Sequence, residues 1–392
     1  MFFTGYKCVK CGKEICGREM IYTCPDCGGN LMIEYDYSAI KKVFDRNSLL
    51  KNNDYSLWRY KTLYPVESRI DELEIGWSPL YKTDSLGKKY GLTNLYLKDD
   101  TRLPSGSFKD RAGAIVMEKA REDNIKKVCA ASTGNAGTST ACLGAAMQID
   151  TMIFVPETIP RAKLTQLRVY GTEIEIVKGT YDDAFDLCYS KCRENGWFNR
   201  STGINPFTRE GKKSCAFEIC EQMNWEAPDM VFVPVGDGNI ISGMWKGFVE
   251  LYRIGFTDSL PRLISVQAEG SNAVNKAVLS RSAIQSVAGN TIADSISVSL
   301  PRDGEAARQA VISSGGFGID VTDEEIIMAV KELGREIGVF VEPAGAAAFA
   351  GLKKAIRGNL AESNEKIVIM ATGNGLKDID SIMTNEDKID II

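Results

Sequence analysis

From residue 79 onward, short apolar runs alternate with stretches of helical periodicity. The runs at 95–97, 127–130, 151–155, 173–177, 230–235, 263–266 and 367–370 read as buried parallel strands. Helical patterns separate them, for example over 108–123 and 214–223. Strands alternating with helices predict an α/β architecture with open parallel sheets. Residues 38–78 are polar and mixed, with Trp58 and Tyr60 as anchors, and no internal repeat is visible.

Residues 1–37 follow a different rule. Cys8-x2-Cys11-x12-Cys24-x2-Cys27, with Gly12 and Gly28 after the pairs, has zinc-ribbon spacing. Each CxxCG makes a tight knuckle that offers two thiolates to one tetrahedral Zn²⁺, and four thiolates close the coordination sphere. The metal expected at Cys8, Cys11, Cys24 and Cys27 is therefore structural.

Bulk properties narrow the class. At 392 residues, two or three lobes are expected rather than one core. A net charge of −5 argues against nucleic acid as a partner, which needs a basic footprint. No apolar run approaches the roughly 18 residues of a membrane span, and the start Met1-Phe2-Phe3-Thr4-Gly5 has no signal-peptide character. Eleven cysteines, mostly scattered singly in a long chain, suit reduced thiols and a cytoplasmic address. Histidine is absent altogether, which excludes Ser-His-Asp and Cys-His mechanisms and HExxH metal sites. Acid–base chemistry must then use Lys, Asp, Glu, Tyr, a thiol or a cofactor.

Four segments sit where strands end and helices begin, the usual place for sites in open α/β sheets. In Pro104-Ser105-Gly106-Ser107-Phe108-Lys109-Asp110-Arg111, a Gly/Ser turn delivers Lys109 to a helix start. The helix dipole and Arg111 are expected to depress its amine pKa there. Ser132-Thr133-Gly134-Asn135 opens a helix of small residues and can hold a carboxylate. Gly236-Asp237-Gly238-Asn239-Ile240 is a glycine turn into a helix start, a phosphate cradle by geometry. Thr372, in Thr372-Gly373-Asn374-Gly375-Leu376-Lys377-Asp378, places a hydroxyl at a strand end. Singly, each has a plainer reading: a solvated lysine, an ordinary N-capped helix, a lone glycine loop, a strand-to-turn hydroxyl.

The ordered set resembles the fold-type-II (tryptophan synthase β-like) pyridoxal-phosphate enzymes from Pro79 to Asp378, and the ribbon with Thr-Gly-Asn-Gly-Leu-Lys-Asp narrows this to the threonine synthases. The resemblance implies two open parallel-sheet lobes plus the ribbon: a small mobile domain over 95–205 against a larger one over 38–94 and 206–392. It implies pyridoxal 5'-phosphate on Lys109 as a Schiff base, its ring hydroxyl on Asn135, its phosphate in the loop Gly236, Asp237, Gly238, Asn239 and Ile240, and its ring nitrogen facing Thr372. Ser132, Thr133 and Gly134 would receive the substrate carboxylate, and Lys109 would shuttle protons. The implied reaction takes O-phosphohomoserine and water to threonine and phosphate, in a homodimer acting on a small phosphorylated amino acid.

Two departures from the family pattern bear on the substrate. Asn374 stands where members usually have histidine. In 202–211, Thr202, Gly203 and Thr208 replace the Asn, Ser and Arg that hold the leaving phosphate, and Arg209 comes one position late, a turn of about 100° on a helix. Lys98 matches a lysine of that phosphate site and is kept, so Lys98 and Arg209 are expected to serve it. The departures keep two other readings open: a related replacement or elimination enzyme (cysteate synthase-like on O-phosphoserine, or an amino-acid dehydratase), and a catalytically silent zinc-ribbon binding protein.

Overall fold

The computed structural model describes residues 1–132, 134–157, 159–179 and 181–383, which form three sheets. The first is antiparallel: β1 (Phe3–Cys8) lies between β2 (Glu14–Cys16) and β3 (Leu31–Tyr35). Alternation along β3 buries Leu31, Ile33 and Tyr35 on one face. Two short elements then lead into the larger sheets, β4 (Leu80–Lys82) and β5 (Asn94–Asp99).

The middle of the chain contributes β6 (Lys127–Ala131), β7 (Asp150–Pro156), β8 (Glu173–Val177) and β9 (Phe198–Asn199). They form an all-parallel sheet in the order β8-β7-β6-β9. The last third adds β10 (Met230–Pro234), β11 (Arg262–Ala268), β12 (Gly318–Val321) and β13 (Lys366–Ala371). With β4 and β5 they make a six-stranded sheet, β12-β11-β10-β13-β5-β4, parallel except for the edge pair β4–β5. Helices on both faces explain the continuous apolar runs. Val231, Val233 and Val368 pack with Ile241, Met244 and Phe248, whereas Phe232, Ile367 and Ile369 pack with Ala346, Ala347 and Phe349.

The sheets amend the sequence expectations in three places. The strand at 95–97 pairs with β13 in the larger sheet instead of opening the small lobe. The run at 173–177 is an edge strand with Glu173 and Glu175 exposed, not a buried one. The ribbon is not set apart either: Phe3, Tyr6, Leu31 and Ile33 share one core with Phe207 and Phe217, and the Tyr35 hydroxyl donates to Glu210 at 2.6 Å. No helix among the described residues is long and apolar enough to cross a membrane.

A buried ionic network ties the start of the Lys109–Glu122 helix to the Ser214–Gln222 helix. Arg111 reaches Asp100 (2.6 Å) and Glu218, and Lys98 reaches Glu218 (2.7 Å) and the Ser78 carbonyl (2.6 Å), all fully buried. Burial alone would raise the Glu218 carboxyl, but Arg111 and Lys98 outweigh it and hold it at about 2 instead of 4.5. Its stabilising contribution is thus complete above the ordinary value and is lost as pH falls from 4.5 towards about 2. Removing one partner strands the rest. Arg111→Met should cost about 3–5 kcal/mol of stability, read from the urea midpoint. A loss under about 1 kcal/mol would show that the network is not a structural brace.

Candidate active site

The C-terminal ends of β6, β10 and β13 open on a cavity of about 650 Å³. Lys109, Ser132, Gly134, Asn135, the whole 236–240 loop and Thr372 line it, so segments far apart in sequence meet in one place. Residues 294–300 also line it, and there Lys163 of the Arg161–Val169 helix pairs with Asp294.

Lys109 is the first residue of its helix, and the turn before it is stitched down. The Asp110 carboxylate accepts from Ser105 N–H (2.7 Å) and hydroxyl (2.6 Å), and Gly106 takes φ +81°. Phe108 N–H donates to the Thr372 carbonyl (2.9 Å), and Asn374 N–H donates to the Gly106 carbonyl (2.9 Å). Lys377 closes the joint by donating to the Ser105 carbonyl and to Gln166, both at 2.8 Å. Lys109 is thereby fixed beside Thr372. Its amine has no hydrogen-bond or ion-pair partner among the described residues, and burial lowers it to about 8, with Glu342 opposing and Arg200 assisting. Arg111 is not the cause expected from the sequence, because its charge is consumed by Asp100 and Glu218.

Asn135 opens the Asn135–Met147 helix and donates through Nδ2 to Glu342 (2.7 Å). Its Oδ1 is buried without a partner, an acceptor waiting for a donor. Burial raises the Glu342 carboxyl, against the pull of Lys163 and Lys377. The Ser132 hydroxyl caps its own loop, accepting from Gly134 and Gly137 N–H at 3.2 and 3.0 Å. Thr133 lies outside the described residues.

The 236–240 loop runs into the Asn239–Ile254 helix, whose first N–H groups have no partners within it. Gly238 has φ +92°, and a Cβ there would meet the Ala307 Cβ at 2.6 Å. A Cβ on Gly236 would meet the Ile296 Cα at 2.9 Å. Glycine is required at both points to form this cradle. The Asn239 side chain is held by its neighbours, donating to Asp303 (2.8 Å) and accepting from Lys212 (2.7 Å). An unpaired amine, an orphaned acceptor, a helix start lined by glycine and a strand-end hydroxyl together fit pyridoxal phosphate.

The residues expected at a substrate phosphate are placed differently. Lys98 is sealed in the Arg111 network and does not line the cavity. Arg209 is 2% exposed and clasps both Asp303 oxygens, at 2.5 and 2.6 Å, so it too leaves the cavity. Asn374 caps the turn after it by accepting from Leu376 N–H (3.0 Å), and it lines a separate groove. Sequence reasoning missed Glu342, Ser295, Lys212 and Arg302, all of which line the cavity. Glu342 carried one readable signal, a carboxylate directly before a Pro at a helix start.

Residues 72–373 match the family model described as pyridoxal-phosphate dependent enzyme. The threonine synthase of Methanocaldococcus jannaschii is 41% identical, over 98% of this chain and 96% of its own. The chain belongs to the threonine synthase family of pyridoxal-phosphate-dependent enzymes. The threonine synthase of Methanosarcina acetivorans is 37% identical over 96% of this chain and 93% of its own. In fold, the chain is similar to a threonine deaminase from Solanum lycopersicum (TM-score 0.67, 22% identity, 92% of this chain and 95% of that one). Maize serine racemase gives TM-score 0.65 at 24% identity, over 76% and 88%. These structural likenesses speak to architecture alone. Within the threonine synthase family, this chain keeps the lysine turn, the Asn loop, the glycine loop and the strand-end Thr in one cavity.

The four ribbon thiols converge as well. Their sulfurs all lie within 4.8 Å of one another, with Cys8–Cys27 at 3.5 Å and Cys11–Cys24 at 3.7 Å. Tetrahedral Zn–S bonds of about 2.3 Å set sulfurs about 3.8 Å apart, so the donor set suits zinc.

Proposed function

We propose that this chain is a threonine synthase, converting O-phosphohomoserine and water to threonine and phosphate. One observation carries the reading. A chain that follows two threonine synthases almost end to end gathers an unpaired buried lysine and a phosphate-cradling helix start in one cavity. Pyridoxal phosphate, when bound, supplies an electron sink for charge developing at the substrate Cα.

The chain's own residues would do the rest. Lys109 would hold the cofactor and then move protons at Cα and Cβ, and its amine, brought to about 8 by burial, can take and return a proton near neutral pH. Asn135 Oδ1 would accept from the ring hydroxyl, and the 236–240 N–H groups would bind the cofactor phosphate. The Thr372 hydroxyl would meet the ring nitrogen without holding a proton on it as a carboxylate would, which suits elimination and replacement better than transamination. Ser132 and Gly134, at the start of the Asn135–Met147 helix, would orient the substrate carboxylate. Residues 294–300 would exclude all but the reacting water.

The altered segment at Thr202, Gly203 and Thr208 leaves one second reading open: a related replacement or elimination enzyme, such as one acting on the shorter O-phosphoserine. We also infer a structural zinc on Cys8, Cys11, Cys24 and Cys27. The eleven unpaired cysteines fit a reducing compartment, and on that ground we place the protein in the cytoplasm.

Two experiments test these readings. The holoenzyme should turn over O-phosphohomoserine with water, and Lys109→Ala should lose both turnover and the yellow absorbance of the lysine-linked cofactor. Preference for O-phosphoserine with an added nucleophile would select the second reading, and colour retained in Lys109→Ala through the same linkage would overturn the site. The purified protein should carry about one zinc per chain, and Cys24→Ser should lower its melting temperature by several degrees. A metal-free protein that melts at the same temperature with and without chelator would rule out the zinc.

A further inference from the structure

The cavity has lost both cations that the family pattern would bring to a substrate phosphate. Arg209 donates to both Asp303 oxygens, to the Leu31 carbonyl (2.9 Å) and to Ser242 (3.2 Å), which commits four of its five N–H donors and holds it outside the cavity lining. Lys98 is closed by Glu218, Gln222 and the Ser78 carbonyl. A phosphate monoester dianion still needs a charged partner wherever water is excluded.

Lys212 meets that need. It follows Thr208 by one helical turn within the Phe207–Lys212 helix, so the two share a face. It is 1% exposed, yet it lines the cavity. Its amine donates to the Asn239 amide oxygen at 2.7 Å, and among the described residues no carboxylate lies within ion-pair distance of it. The neighbouring Lys213 is different, since Glu210 (2.6 Å) and Glu250 (2.8 Å) neutralise it. Asp303 holds the Asn239 Nδ2 at 2.8 Å, which fixes Oδ1 towards Lys212 and pins the amine in place. Burial, Lys109 and Arg200 lower the Lys212 amine well below its ordinary value against the opposing pull of Asp303 and Asp237, and an arriving dianion would raise it again and favour proton uptake. Thr202 and Arg302 line the same cavity, with the Arg302 guanidinium 5.0 Å over the Phe185 ring.

We propose that Lys212 binds the phosphate group of the amino-acid substrate, taking over from the position now held by Thr208. This rests on the threonine synthase reading for the substrate, but not for the anion site itself. The cofactor's phosphate is the other source of the same chemistry. It is served by the N–H groups of the 236–240 loop, whereas Lys212 reaches in from a neighbouring helix on the face of Thr208.

The test measures inorganic phosphate binding to the holoenzyme by calorimetry in buffers of different ionisation enthalpy, alongside KM for O-phosphohomoserine. Lys212→Met should weaken phosphate and raise KM by about tenfold or more, and abolish the proton uptake that accompanies binding. It should keep the cofactor absorbance, and Lys212→Arg should restore most of the affinity. Three results overturn the assignment: phosphate bound equally well by Lys212→Met, no phosphate binding by the wild-type holoenzyme, or a Lys212→Met variant that loses cofactor while its phosphate binding persists. Threonine formation with phosphate binding unchanged in Lys212→Met sinks the Lys212 site alone. Phosphate binding that depends on Lys212, in an enzyme that forms no threonine, sustains the site and sinks the reaction.

Discussion

The buried carboxylate of Asp303 is the point on which the cavity depends. It accepts from Arg209, Asn239, Ser242 and Asn30, and its N–H donates to the Asp237 carbonyl. One charge thus ties together the glycine loop, the helix start behind it, the Phe207–Lys212 helix and the ribbon. A fully buried carboxylate is tolerable only when so many donors converge on it, and their convergence fixes the cradle before any ligand arrives. The ribbon belongs to this arrangement and is no appendage. Asn30 touches Asp303 directly, the Leu31 carbonyl holds Arg209, and the Ile33 carbonyl accepts from Lys246 (2.6 Å).

The distribution of buried lysines turns this scaffold into chemistry. Lys98, Lys213 and Lys246 are neutralised by carboxylates, whereas Lys109 and Lys212 face the cavity without one. A chain with no histidine cannot borrow a group that titrates near neutral pH. Desolvation supplies the same range, since a buried amine gives up its proton far more readily than a solvated one. On the proposed reading, the cost of burying these two amines would be recovered when an electrophile or an anion engages them.

The sequence was legible where a single local rule decides the outcome. Apolar runs gave the central strands because helices cover both of their faces, and glycine spacing gave the cradle because Gly238 needs a positive φ. The edge strands were harder. β8 alternates Glu with Ile at a sheet edge, β9 has only two residues, and Gly318 and Asp320 interrupt the apolar positions of β12. Among site residues, strand ends and helix starts were readable because topology dictates what gathers there. Lys98 and Arg209 were misplaced for the opposite reason: only tertiary packing reveals that Glu218 and Asp303 wait for them. Arg209 shows the consequence of a one-residue shift, about 100° of helix rotation, which turns a ligand-facing position into a scaffold-facing one. Lys212 was hidden beside Lys213, because nothing in the sequence says which of two adjacent lysines the glutamates neutralise.

Two amines without a carboxylate partner share the cavity, so the most direct test asks which of them carries the cofactor. The holoenzyme would be reduced with borohydride, which converts an imine to a stable secondary amine, then digested and mapped by mass spectrometry. The pyridoxyl group is expected on the peptide containing Lys109, with Lys212 unmodified. A pyridoxyl group on Lys212, or on no lysine of the cavity, would contradict that assignment.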